Sequence, residues 1–186
     1  MIGYAFTGSF CTHSESLKVL RRLCELGADV VPIMSENVYS TDTRFGKASD
    51  LIDTVETLCN RRVIHTIKDA EPLGPRCPLE LLIIAPCTGN TLAKIALGIT
   101  DTAVCMSAKA HLRENRNLLI ALASNDAMSA NLRNIGTLLN RKNIFFVPMR
   151  QDDIKNKPHS LVADFSLLEE SYNAVINNSQ PRPLFI

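Results

Sequence analysis

Four short polar clusters stand where apolar runs of the sequence end. Thr7-Gly8-Ser9 follows residues 2–6, Ser35 follows 29–34, Pro86-Cys87-Thr88-Gly89-Asn90-Thr91 follows 81–85, and Ser124-Asn125-Asp126 follows 118–123. Any one of these residues could cap a helix, and taken singly each turn reads as a capped turn. The third cluster is different: it brings two hydroxyls, an amide and a flexible glycine where capping needs one group. Such an excess at a helix N-terminus suits an anion, held by hydroxyls, main-chain amides and the positive end of the helix. No Lys or Arg sits inside these turns. A bound phosphate would therefore meet only uncharged groups, and Asp126 is expected away from it. For proton transfer the candidates are His13, beside the first turn, Glu71 and Asp126.

The elements that must position these turns alternate along the chain. Apolar runs at 2–6, 29–34, 81–85, 102–106, 118–123 and 144–148 read as strands, with 62–65 as a further short one. Helical spacing recurs between them: Leu17, Leu20 and Cys24 before Gly27; Leu51, Ile52, Val55 and Leu58; residues 91–98; Met128, Leu132, Ile135 and Leu139; and Leu161, Phe165, Leu168, Tyr172 and Val175. Continuous apolar strands joined by helices imply a parallel sheet covered on both faces. The expected fold is a three-layer αβα, Rossmann-like, doubly wound sheet of about six strands. It forms a single domain over 1–178, with 179–186 as an extended tail. In such sheets ligands bind beyond the carboxyl ends of the strands, where the four clusters stand.

Composition excludes several classes of function. The 186 residues are 46% hydrophobic and 21% charged, with a net charge of +1, which makes no electrostatic case for nucleic acid or an anionic membrane. No run approaches the ~20 apolar residues that span a bilayer, and the N-terminus reads as no signal peptide. Six cysteines without a CxxC pair and four scattered histidines (His111 and His159 read as surface residues) fit neither a zinc site nor a disulfide framework. Reduced thiols in a cytosol fit better. No nicotinamide fingerprint is present.

The run "APCTGNTLAKIALGITD", with "TGS" after the first strand and Ser35 after the second, resembles the homo-oligomeric flavin-containing cysteine decarboxylase superfamily, whose members carry A-P-x-[ST]-x-N-T-x-A-K-x-A-x-G-x-x-D. "ASNDAMSANLRNIGTLL" occupies the place of that family's Pro-Ala-Met-Asn segment. The resemblance implies FMN. Gly8, Ser9 and Phe10 would form the first flavin-contacting turn and Ser35 the second. Pro86, Thr88, Gly89, Asn90 and Thr91 would form the turn that holds the phosphate. Ser107 and Ala108, after the strand expected at 102–106, and Asn125 would complete the site. It also implies a homo-oligomer, a trimer or a multiple of one, with the flavin between neighbouring chains.

Within the superfamily, "APCTGNT", "SNDAMSANLRNIGTLLNRKNIFFVPM" and "RQDDIKNKPHSLVADF" resemble a branch from sporulating bacteria. That branch partners an NAD(P)-dependent A subunit and oxidises dihydrodipicolinate to dipicolinate in the mother-cell cytoplasm. The decarboxylating members carry a His ahead of the "AP" strand, where this chain has "DAEPLGPRCPLELLIIAP". Ser124 and Asn125 stand where the prenyl-transferring branch has a basic residue. Both departures argue against decarboxylation and flavin prenylation. A flavin-free assembly subunit and a flavin-dependent decarboxylase are the alternative readings.

Overall fold

The computed structural model describes residues 1–186 in full. Its centre is a seven-stranded sheet: β1 (Ile2–Phe6), β2 (Val30–Met34), β3 (Leu81–Cys87), β4 (Asn117–Ser124), β5 (Ile144–Phe146), β6 (Met149–Arg150) and β7 (Leu161–Ala163). Strands β1 to β5 are parallel. β5 pairs the first half of β4 through Leu118↔Ile144, and antiparallel β7 pairs its end through Ala123↔Val162. The strand order β2-β1-β3-β4 reverses between β1 and β3, so the turns leaving those two strands lie side by side at the carboxyl edge.

Alternation along each strand divides two apolar layers. Ala5, Ile84 and Ile120 face one cluster, completed by Leu92, Val104 and Ile135 from α5 (Gly89–Leu97), α6 (Ala103–Leu112) and α7 (Leu132–Leu139). Phe6, Ile83 and Leu119 face the other, filled by Leu20, Val55 and Val175 from α1 (His13–Glu25), α3 (Ala48–Cys59) and α8 (Leu168–Ile176). Two short helices, α2 (Glu36–Ser40) and α4 (Ile67–Ala70), complete the set. At the sheet centre a Cβ on Gly3 would meet Leu79 Cδ1 at 2.7 Å and Leu82 Cδ1 at 2.8 Å, so a larger residue there would make those two leucine side chains shift. All six cysteines are free. No helix is long and apolar enough to cross a membrane.

Three elements differ from expectation. Residues 102–106 are not a strand but the start of α6: Thr102 Oγ1 caps the helix by accepting from the Cys105 amide at 3.1 Å. Seven of the ten α6 residues are buried, so the helix lacks the polar stripe that reveals a surface helix. Leu161–Ala163 is β7 rather than the first turn of the last helix. The chain turns at Asp164, whose carboxylate accepts from the Ser166 amide, and α8 begins at Leu168. Residues 62–65 reach the sheet through a single bridge, Ile33↔Ile64.

The last residues pack back onto the sheet. Gln180 donates to the Phe146 carbonyl at 2.7 Å and accepts from its amide at 3.0 Å, and Leu184 is buried.

Candidate functional site

β1 and β3 end next to one another, and Thr7 ties their turns together. Its hydroxyl donates to the Pro86 carbonyl at 2.8 Å and accepts from the Thr88 amide at 2.9 Å. Thr7 is 1% exposed, so this pair of bonds is shielded from water. It sets Thr88 as the N-cap of α5, where its Oγ1 accepts from the Thr91 amide at 3.2 Å and donates to Thr91 Oγ1 at 3.1 Å. The amides of Gly89 and Asn90, in the first turn, have no upstream carbonyl within the helix and remain available to an anion.

Ser35 arrives from the other side. Its amide bonds to the Phe6 carbonyl at 3.0 Å, which extends the β1–β2 ladder by one residue. It occupies the N-cap position of α2, yet its hydroxyl makes no cap bond. Ser35 Oγ is buried and has no hydrogen-bond partner. A buried hydroxyl left unmatched costs free energy, about 1–3 kcal/mol.

These turns line a polar cavity of about 370 Å³, to which Gly8, Phe10, Ser35, Thr88, Asn90 and Thr91 all contribute. Sequence reasoning missed its remaining wall. Lys94, one turn along α5 from Asn90 and Thr91, brings a cation to the cavity, and Asp101 holds it with two bonds of 2.8 Å. That pair closes across the Gly98 turn, seven residues apart, a contact that only the folded helix end creates. The expectation of a wholly uncharged site is corrected: beside the hydroxyls and amides the cavity carries the Lys94–Asp101 pair and, on the α2 side, the Glu36 carboxylate.

Other expected site residues stand elsewhere. Ser9 does not line the cavity; its carbonyl accepts from the Thr12 amide and hydroxyl. Pro86 is buried in β3 and contributes its carbonyl to Thr7. Gly89 is buried at the foot of α5. The expected strand before Ser107 and Ala108 does not exist; both are buried inside α6, and Ser107 Oγ donates to the Ala103 carbonyl at 2.8 Å. Asn125 lies exposed in the turn after β4 and does not line the cavity.

Asp126 does not line the cavity either, but it packs against the back of the turn at Gly89. Its carboxylate accepts from Ser124 Oγ and from Asn131 Nδ2, the latter at 2.9 Å. The Ser124 bond chiefly holds the Asp126 carboxyl below the usual range; partial burial opposes this and the Asn131 bond adds to it. Gly89 sits directly against this cluster.

His13 is buried between Phe6 and Phe10, with ring centroids 5.7 and 5.2 Å away. Burial pushes its pKa down, against a bond from Nε2 to the Thr7 carbonyl at 2.9 Å. A carbonyl only accepts, so Nε2 carries the proton and the neutral ring leaves Nδ1 as an acceptor. His111, expected at the surface, is fully buried and bonds the Asn117 carbonyl at 2.6 Å. His65 stacks on Tyr39 with ring centroids 3.6 Å apart.

The donor set fits the phosphoryl end of a nucleotide. An orphaned buried hydroxyl, two more hydroxyls and a helix N-terminus converge on one polar space. No cluster of His, Cys, Asp and Glu could hold a metal ion.

A family model described as Flavoprotein matches residues 1–167. The B subunit of dipicolinate synthase from Bacillus subtilis (strain 168) is 40% identical over 185 residues, covering 100% of this chain and 92% of that protein. The crystal structure of the corresponding B subunit from Bacillus halodurans C has a TM-score of 0.91 at 40% identity, covering 100% of this chain and 95% of that one. AnUbiX (PadA1), solved in complex with FMN and dimethylallyl pyrophosphate, has a TM-score of 0.63 at 25% identity, over 79% of this chain and 76% of that one. With 40% identity over the full chain and a shared fold, the chain belongs to the flavoprotein family and is a homologue of the dipicolinate synthase B subunit.

Proposed function

We propose that this chain binds FMN and acts with an NAD(P)-dependent A subunit to oxidise dihydrodipicolinate to dipicolinate in the cytoplasm of a sporulating bacterium. The observation that carries the flavin part is Ser35 Oγ, buried, unpartnered and on the wall of the polar cavity. Thr88, Asn90 and Thr91 would hold the phosphate from the α5 side, Ser35 from the β2 side, and Gly8 leaves room where the first turn approaches. FMN, when bound, supplies a hydride or electron acceptor. The chain's own residues grip the phosphate, orient the nucleotide at the β1/β3 edge and keep His13 neutral beside Phe10. In a homo-oligomer, a trimer or a multiple of it, a neighbouring chain would cover the open side of the site.

The test is reconstitution. The purified chain is mixed with the A subunit, NAD(P)⁺, FMN and dihydrodipicolinate, and dipicolinate is followed by its ultraviolet absorbance. The expected result is a rate at least about tenfold above that of the A subunit alone, a barrier difference of about 1.4 kcal/mol. A rate unchanged by adding the chain would remove its catalytic role and leave the reading as an assembly subunit.

A further inference from the structure

Phe10 lines two cavities. One is the polar space already described. The other, about 360 Å³, lies between α1, α2, the 41–47 hairpin and α3, and its chemistry is different. Leu17 and Leu51 give it apolar sides, and Phe10 and Phe45 give it aromatic ones. Lys47 is its one permanent cation and Asp50 its one carboxylate. The volume and the mixture of apolar wall with a few polar groups are those of a small-molecule site.

The hairpin that carries Phe45 is built firmly. Thr43 and Gly46 exchange backbone bonds of 3.0 and 3.1 Å, and Asp42 accepts from the Ala48 amide at 2.8 Å, which pins the hairpin to the first turn of α3. Arg44 sits 4.8 Å above the Phe45 ring and steadies it. Phe45 is nevertheless 54% exposed, a large aromatic ring held at a cavity mouth. Lys47 makes no ion pair, unlike Lys94 in the polar cavity.

We propose that this second cavity binds a flat, carboxylated heterocycle, with the ring between Phe10 and Phe45 and a carboxylate on Lys47. Aromatic faces favour a planar ring, and a charge-assisted bond to Lys47 selects an acid over a neutral analogue. As the site of the dihydropyridine substrate, the assignment rests on the function proposed above; as a site for this ligand class, it rests on the cavity alone.

The experiment is calorimetric titration of the full chain with pyridine-2,6-dicarboxylate in metal-free buffer, beside a parallel FMN titration. Variants are Lys47→Gln, Phe45→Ala and, as the reverse control, Thr91→Val; the first two alter exposed side chains, and thermal melts check that all three fold. Lys47→Gln is expected to weaken the dicarboxylate about tenfold and Phe45→Ala about fivefold, with FMN affinity unchanged, while Thr91→Val weakens FMN alone. Dicarboxylate binding that responds in this way supports the site even if FMN fails to bind, an outcome that would sink only the functional reading. The proposal is overturned if wild-type chain does not bind the dicarboxylate at millimolar concentration, or if Lys47→Gln leaves that binding intact. It is also overturned if FMN and dicarboxylate affinities fall together, which would make the cavity part of the flavin site.

Discussion

The Thr88 amide donates to Thr7 Oγ1 at 2.9 Å across 81 residues of sequence, and this bond fixes the turn at the start of α5 to the end of the first strand. Thr7→Val removes the acceptor and leaves the Thr88 amide without its partner. Chemical denaturation should show a loss of about 1–3 kcal/mol, and FMN affinity should fall with it. Thr7→Ser keeps the hydroxyl and should restore most of both.

Ser35 gives the opposite signature. Its hydroxyl has no partner, so Ser35→Ala removes an unmatched buried group. Stability of the free protein should hold or rise by about 1 kcal/mol, whereas FMN affinity should drop by about tenfold or more, as expected for a lost hydrogen bond to a charged group. Equilibrium unfolding and flavin fluorescence quenching measure the two quantities separately. Parallel losses in both would mean that Ser35 is a structural cap.

Gly89 is a packing requirement of the α5 N-terminus. A Cβ there would collide with Ser124 Oγ and would lie 2.6 Å from Asn131 Nδ2 and 2.8 Å from Asp126 Oδ1. Gly89→Ala should destabilise by about 1–3 kcal/mol through overpacking. Adding Ser124→Ala should recover part of that loss, and non-additive unfolding energies in the double mutant provide the check.

His111 makes stability depend on pH. Burial lowers its pKa from 6.5 to about 4, against the bond to the Asn117 carbonyl. Between these values the unfolded chain takes up a proton that the folded chain refuses. Stability should therefore fall as pH drops from about 6.5 to about 4, by on the order of 3 kcal/mol, and level off below. In His111→Gln this part of the slope should vanish from pH-dependent urea unfolding; a slope identical to wild type would reassign it to other groups.

The turns after β1, β2 and β3 were legible because small polar residues interrupt apolar runs there, and Gly8, Ser35, Thr88, Asn90 and Thr91 do meet on one rim. The three layers were legible for the same reason: period two in Tyr4–Ala5–Phe6 and period 3.6 in α1 and α7 mark opposite faces. α6 was not, because a helix buried on most sides has no polar stripe, and Thr-Ala-Val-Cys-Met reads as a core strand. Its signal was the Thr102 cap. Losing that strand displaced Ser107 and Ala108 from the site. Leu161–Ala163 was absorbed into the helix behind it because three apolar residues fit either period. Lys94 and Asp101 stand in the A-K-x-A-x-G-x-x-D run, but only the folded end of α5 shows that they pair; the cavity under Phe45 comes from chain segments that meet only in three dimensions, and no local pattern announces it.

Ser35, Thr88, Asn90 and Thr91 are the residues proposed to hold the phosphate. Comparing FMN with riboflavin, the same ring system without the phosphate, reads that grip most directly. Titrated by flavin fluorescence against the purified chain, FMN should bind at least about a hundredfold more tightly, a difference of about 2.7 kcal/mol. Equal affinities, or no binding of FMN, would contradict it.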